Sequence, residues 1–203
     1  MRTLDIQQKA FLEILAIFVL PIVLLYVGAI PLGLRFYLLM LLGVVLVGIM
    51  VREKWGWREM GIRMPTMKSI LLYFFATILG AMALFYYREE TGIAMNLAAL
   101  SNRWFLMTFI PVSMFQEIAY RGFLMPMLRK VFDTRMTIVL VNASLFTVLH
   151  IIYPDPLIVL PLAFVSGLFF TTLYMLSENL LLVGIVHAIL NFIAIVCGFF
   201  VIS

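Results

Sequence analysis

Seven apolar runs, at about 11–31, 35–51, 69–87, 104–128, 136–153, 157–176 and 180–202, leave this chain little polar surface with which to face water. A bilayer core about 30 Å thick is crossed by roughly 20 helical residues, and every run meets or nears that length. Inside lipid, backbone N–H and C=O groups must be satisfied within the segment, which makes each run a helix. The spacing therefore predicts an all-α, polytopic membrane helix bundle of seven or eight transmembrane helices. The eighth would arise if the last run breaks near Asn191 or Gly198. A single integral-membrane domain, 1–203, is expected, with its motif core at about 104–195.

Composition supports this class. The chain is 65% hydrophobic, with 14 basic and 10 acidic side chains in 203 residues and a mean hydropathy of +1.16. That range belongs to polytopic membrane proteins. Phe11 to Ile30 could imitate a signal peptide, but no A-x-A site follows it, so it reads as a retained first span. The lone Cys197 rules out an intramolecular disulfide and a cysteine-based metal site. Pro21, Pro111, Pro126 and Pro161 fall within runs and predict local kinks, whereas Gly80, Gly167 and Gly184 permit close helix approach.

Basic residues near the run ends set the expected orientation. With the N-terminus cytoplasmic, the inner side collects Arg2, Lys9, Arg52, Lys54, Arg58, Arg63, Lys68, Arg129, Lys130 and Arg135; the outer side has Arg35, Arg88 and Arg103. The net charge of +4 is explained by this asymmetry, so the expected partner is the lipid bilayer and not nucleic acid. Compact size and short loops point to a plasma (inner) membrane.

Arg121 is left within the membrane, four residues after Glu117 and on the same helical face. Ionisable groups at that depth cost about 2.5 to 3.5 kcal/mol each on insertion scales and are usually paired and functional. His150 follows Phe146 by four residues, and Asn191 follows His187 by four. At ~1.5 Å per residue, Glu117 lies ~18 Å from the inner edge, Arg121 ~12 Å, His150 ~22 Å, His187 ~14 Å and Asn191 ~20 Å. These depths, within about two helical turns, predict one buried site drawn from three helices.

A buried carboxylate beside an imidazole can activate water and return the proton to a leaving amine. An imidazole and a carboxamide one turn apart can hold an oxyanion. The set suits water attack on an amide within a membrane cavity, with a peptide or membrane-anchored protein as substrate. There is no GxSxG elbow, no HExxH and no pair of aspartates suited to aspartyl chemistry. No cofactor is required, although Glu117, His150 and His187 could in principle hold Zn2+. The plainer alternatives are a structural ion pair for Glu117 and Arg121, an interfacial histidine at 150, and interhelical hydrogen bonds for His187 and Asn191. A proton-coupled carrier would use the same residue types, but no inverted repeat is visible.

Gln116-Glu117-x-x-x-Arg121, Phe146-x-x-x-His150 and His187-x-x-x-Asn191, in this order on separate helices, resemble the CPBP family. These are the CAAX-protease and bacteriocin-processing (Abi) intramembrane proteases, with motifs EExxxR, FxxxH and HxxxN/D. The resemblance covers roughly Trp55 to Asn191, including Trp57 to Ile62, which is similar to an amphipathic segment ahead of the core. It implies a helix bundle with a site open towards the cytoplasmic half, the first glutamate and the FxxxH histidine activating water, and the second histidine with the Asn binding the oxyanion. Many members carry the label metalloprotease, whereas others resemble metal-independent glutamate enzymes.

Position 116 departs from the pattern, because an amide cannot accept the proton. Three readings stay open. Gln116 is an inactivating exchange of the kind that traps substrate, or the chain naturally binds without cutting, as a pseudoprotease scaffold. Otherwise Glu117 serves as the base, which requires its side chain to face His150.

Overall fold

The computed structural model describes residues 5–200; Arg2 and the end of the last run, 201–202, lie outside them. The described chain forms seven helical rods and no strand. They are α1 Ile6–Tyr26, α2 Arg35–Arg52, α3 Met67–Thr91, α4 at 103–131, α5 Arg135–Ile152, α6 Pro156–Ser177 and α7 Leu180–Val196. Five of them, α1, α2, α3, α5 and α6, are long and apolar enough to cross a membrane, the first counted from Ile6–Tyr26 and the second from Leu32. The multi-pass expectation holds. Helix α7 continues through Asn191 and stops before Gly198, whose φ of +87° turns the chain.

Local sequence explains where the rods start and stop. Thr66, Asn102, Thr134 and Asn179 each precede a rod and accept a hydrogen bond from the backbone N–H three residues on, replacing a missing intrahelical partner. Gly92, in the left-handed conformation at φ +66°, ends α3.

Two prolines act through wider turns. A π-helical turn, Leu15–Val19, precedes Pro21 in α1, and a longer one, Ile118–Leu124, precedes Pro126 in α4. Proline lacks an N–H and its ring crowds the carbonyl four residues back; a π turn relieves both. The second turn carries Arg121, so the proline determines the backbone geometry beneath the charged pair.

α4 and α7 form the centre. Phe123, Leu124, Met125 and Leu128 are completely buried, as is Val183. α5 packs along α6, α7 lies against α3 and α4, and α1 meets the last turns of α4. In α2 and α3 few residues are buried, and Tyr37, Val44, Phe75 and Met82 are exposed, as expected for walls that face lipid.

Residues 53–66, a basic, Trp-bearing stretch, form turns without a helix. They seal one end of the bundle. Trp55 stacks on Phe123 with ring centres 5.3 Å apart, and Lys130 lies over the Trp55 ring. The Gly61 carbonyl accepts from Leu180 N, and the Arg63 carbonyl from the Asn179 amide. Glu178 bridges Arg63 and Arg129 across the same end.

Candidate active site

Glu117 ends the first α-helical part of α4, and Arg121 follows inside its π turn; both are fully buried. Arg121 Nη1 donates to Glu117 Oε1 at 2.8 Å, as the i, i+4 spacing predicts. The other Arg121 terminal nitrogen donates to the Gly167 carbonyl and to Thr171 Oγ1, both at 3.3 Å. The guanidinium lies 5.3 Å and 5.6 Å from the ring centres of Phe146 and Phe170, whose π faces favour a cation. A charge costly to bury is thus surrounded by partners on α4, α5 and α6.

Glu117 has a second partner. Its Oε1 lies 2.6 Å from His187 Nδ1 on α7. An ionised carboxylate only accepts, so Nδ1 carries the proton and Nε2 is left as the basic nitrogen. Phe170 stacks on the imidazole at 4.6 Å and Phe146 meets it edge-on at 5.8 Å, fixing the ring plane.

His150 is placed differently from the expectation. It sits on the 3-10 turn Leu149–Ile152 at the end of α5, and its Nδ1 is 2.8 Å from the Phe146 carbonyl. A carbonyl accepts, so this histidine too carries its proton on Nδ1. Its ring packs on Phe146 and Tyr153. No hydrogen bond joins it to Glu117; the partner of that carboxylate is His187, because α7 and not the end of α5 lies against Glu117.

Gln116 is half-buried and faces open space where Glu117 does not. A cavity of about 820 Å3 is lined by Gln116, His150, His187 and Asn191, with α1, α2 and the outer part of α4 as its remaining walls. A second cavity, about 480 Å3 and almost wholly apolar, lies between α3, α6 and α7 and meets the first at His150, His187 and Asn191. Both volumes are in the usual range for ligand sites. Asn191 Nδ2 donates to Ser113 Oγ at 3.1 Å, which orients the amide and leaves its other hydrogen available.

Leu32, Arg35, Tyr37 and Tyr153 line the larger cavity at the end opposite the basic loops. The basic end is filled by buried Phe123, Met127 and Leu128 beneath residues 53–66.

For zinc, the donor set does not fit. Among the described residues no three His, Cys, Asp or Glu side chains converge as metal ligands. Glu117 Oε1 is shared by Arg121 and His187, and His150 has no bond to either member of that pair.

Sequence reasoning missed Asn142 and Thr171. Asn142, fully buried on α5, donates to the Tyr120 carbonyl at 2.9 Å and so satisfies the π turn; its oxygen accepts from Thr171 Oγ1 at 2.9 Å. The signal was a lone amide inside an apolar run, whose partner only the packing of α5 on α4 reveals. Ser113, Phe146 and Phe170 likewise position the site from within apolar stretches.

The family model that matches is type II CAAX prenyl endopeptidase Rce1-like, over residues 98–193. No curated protein and no solved structure matches the chain. The matched segment contains all three motifs and begins well after Trp57 to Ile62. The match over residues 98–193 supports the CPBP-family intramembrane proteases that those motifs indicate.

Proposed function

We propose that this protein is an intramembrane endopeptidase in which His187, backed by Glu117, is the base that activates water. The observation that carries the reading is the 2.6 Å contact from Glu117 to His187 Nδ1, on a histidine that lines the larger cavity. His187 Nε2 removes a proton from water as the oxygen bonds to the scissile carbonyl carbon. Glu117 stabilises the imidazolium that forms and holds its tautomer, as the aspartate does in a Ser-His-Asp triad. The amide hydrogens of Asn191 and Gln116 face the oxyanion. The imidazolium then protonates the leaving nitrogen, the C–N bond breaks, and a carboxylate and an amine leave. Arg121 holds the Glu117 carboxylate in place. His150 completes the cavity wall and is the alternative base.

In this reading Gln116 is a donor and not a missing base. The protein lies in the plasma membrane with its N-terminus cytoplasmic, a placement supported by the basic residues of 52–68 and 129–135.

A second reading is favoured by Gln116 itself. The residue that faces the cavity from the family's first acidic position is an amide, so a protein that holds a peptide without cutting it is the competing function. Cleavage of membrane-embedded peptides by purified protein in liposomes separates the two, comparing the native chain with His187→Gln and Gln116→Glu. Cutting by the native chain that vanishes in His187→Gln supports the peptidase. Cutting by Gln116→Glu alone establishes the binding protein.

A further inference from the structure

We infer that residues 53–68 form a docking surface for anionic phospholipid, with Trp57 and Met64 set among the headgroups and Lys54, Arg58 and Lys68 on their phosphates. None of these contacts depends on the peptidase reading.

The segment joins α2 to α3, two rods long and apolar enough to cross a membrane, so it lies where their apolar lengths end, at headgroup depth. It has a fixed shape there. The Trp55 ring stacks on Phe123, the Gly61 carbonyl accepts from Leu180 N at 2.8 Å, and the Arg63 carbonyl accepts from the Asn179 amide at 2.9 Å. With those groups turned inward, Trp57 and Met64 are left 70% and 90% exposed. An exposed indole fits the membrane interface, where its ring meets acyl chains and its N–H meets polar headgroups.

Charge selects the lipid. The described residues at this end of the bundle include nine basic and six acidic side chains, whereas the other end has three of each. Acids nearby are already engaged: Glu53 holds Lys9 and Arg52, and Glu178 holds Arg63 and Arg129. Lys54, Arg58 and Lys68 are exposed and have no acidic partner among the described residues. Three such cations, interleaved with exposed Trp57 and Met64, match phosphodiester anions carried on apolar chains. An acidic soluble protein would meet the cations but not, at headgroup depth, the apolar side chains between them.

The surface is joined to the candidate site through the backbone. Asn179 and Leu180 begin α7, which carries His187, and Phe123 lies in the π turn that carries Arg121. Lipid bound to the segment therefore steadies the ends of the two rods on which Glu117 and His187 stand.

Binding is measured on the full chain in nonionic detergent, with fluorescent phosphatidylglycerol or phosphatidylcholine as probe and soluble glycerol phosphate or an acidic peptide as competitor. Phosphatidylglycerol should bind the more tightly of the two lipids. Lys54→Gln combined with Arg58→Gln and Lys68→Gln should weaken phosphatidylglycerol about tenfold and leave phosphatidylcholine unchanged, because each cation near an anionic surface adds to the attraction. Arg103→Gln, which removes a charge from the other end, should change neither. Equal affinity for the two lipids, or unchanged affinity in the triple variant, overturns the proposal. Displacement by glycerol phosphate or by the acidic peptide assigns the surface to a soluble anion and overturns the lipid. In nanodiscs, hydrogen exchange of 53–66 and of the Leu180 N–H should slow when phosphatidylglycerol replaces part of the phosphatidylcholine, and the triple variant should lose that protection. Exchange indifferent to the lipid overturns the link to α7. No cleavage is measured, so failure of the peptidase reading is detected separately.

Discussion

Glu117 Oε1 sits 2.8 Å from Arg121 Nη1 and 2.6 Å from His187 Nδ1, so one carboxylate oxygen joins a local helix pair to a residue seventy positions later. The other oxygen, Oε2, is buried without a partner among the described residues. The charge is held wholly by its two neighbours, and changes around it should separate stability from chemistry.

Glu117→Gln leaves the Arg121 guanidinium buried without its counter-charge, a loss of about 3–5 kcal/mol for a broken buried pair. Thermal unfolding in detergent should show a clear drop in midpoint. Replacing both residues, as in Glu117→Gln with Arg121→Met, should recover much of it, because no charge then remains to be solvated. Activity should stay lost in both variants, since a neutral carboxamide does not stabilise the imidazolium that forms at His187.

Gln116→Glu places a carboxylate on the cavity wall beside His150, His187 and Asn191. If a cavity-facing base is the missing part, cleavage should rise by about 10² to 10⁴, the range for general acid–base catalysis. Under the His187 mechanism the rate changes little or falls, because an oxyanion donor has been exchanged for a negative charge. A peptide-cleavage time course distinguishes the two.

Gly167→Ala should destabilise the bundle by about 1–3 kcal/mol, the usual effect of overpacking. A Cβ built there would lie 2.9 Å from the Ala143 Cα, backbone that cannot move aside while α5 and α6 stay packed. The Gly167 carbonyl also accepts from Arg121, so the thermal midpoint and the cleavage rate should fall together.

Asn142→Leu removes the amide that donates to the Tyr120 carbonyl and accepts from the Thr171 hydroxyl, which keeps its bond to the Gly167 carbonyl. Losing the donor to a buried carbonyl costs about 1–3 kcal/mol. A double-mutant cycle with Thr171→Val should give a non-additive total, since each residue is the other's partner.

At the sealed end, Lys9 and Arg52 donate to Glu53 and hold its carboxyl below the ordinary glutamate value of 4.5. A depressed folded value means that the contribution to stability is complete above about pH 4.5 and is lost as pH falls through the lower folded value. Glu53→Gln should lower the midpoint slightly at neutral pH, by the little that exposed pairs contribute, and leave it unchanged below the folded value, so that the acid side flattens.

Much of this was legible in the chain itself. Lengths of apolar sequence specified the rods, since lipid allows no other use of the backbone. The i, i+4 pair of Glu117 and Arg121 followed from helical geometry alone, and the motif order from residue types. What the sequence could not state is which imidazole reaches the carboxylate. His150 and His187 occupy similar depths, and depth along a helix says nothing about rotation or about which helices are neighbours. The packing of α7 on α4 decided for His187, and the π turn ahead of Pro126 set the direction of the helix face that carries the pair. The same packing turned Gln116 and not Glu117 to the cavity. Those outcomes depend on contacts between residues tens of positions apart, and no local pattern encodes them.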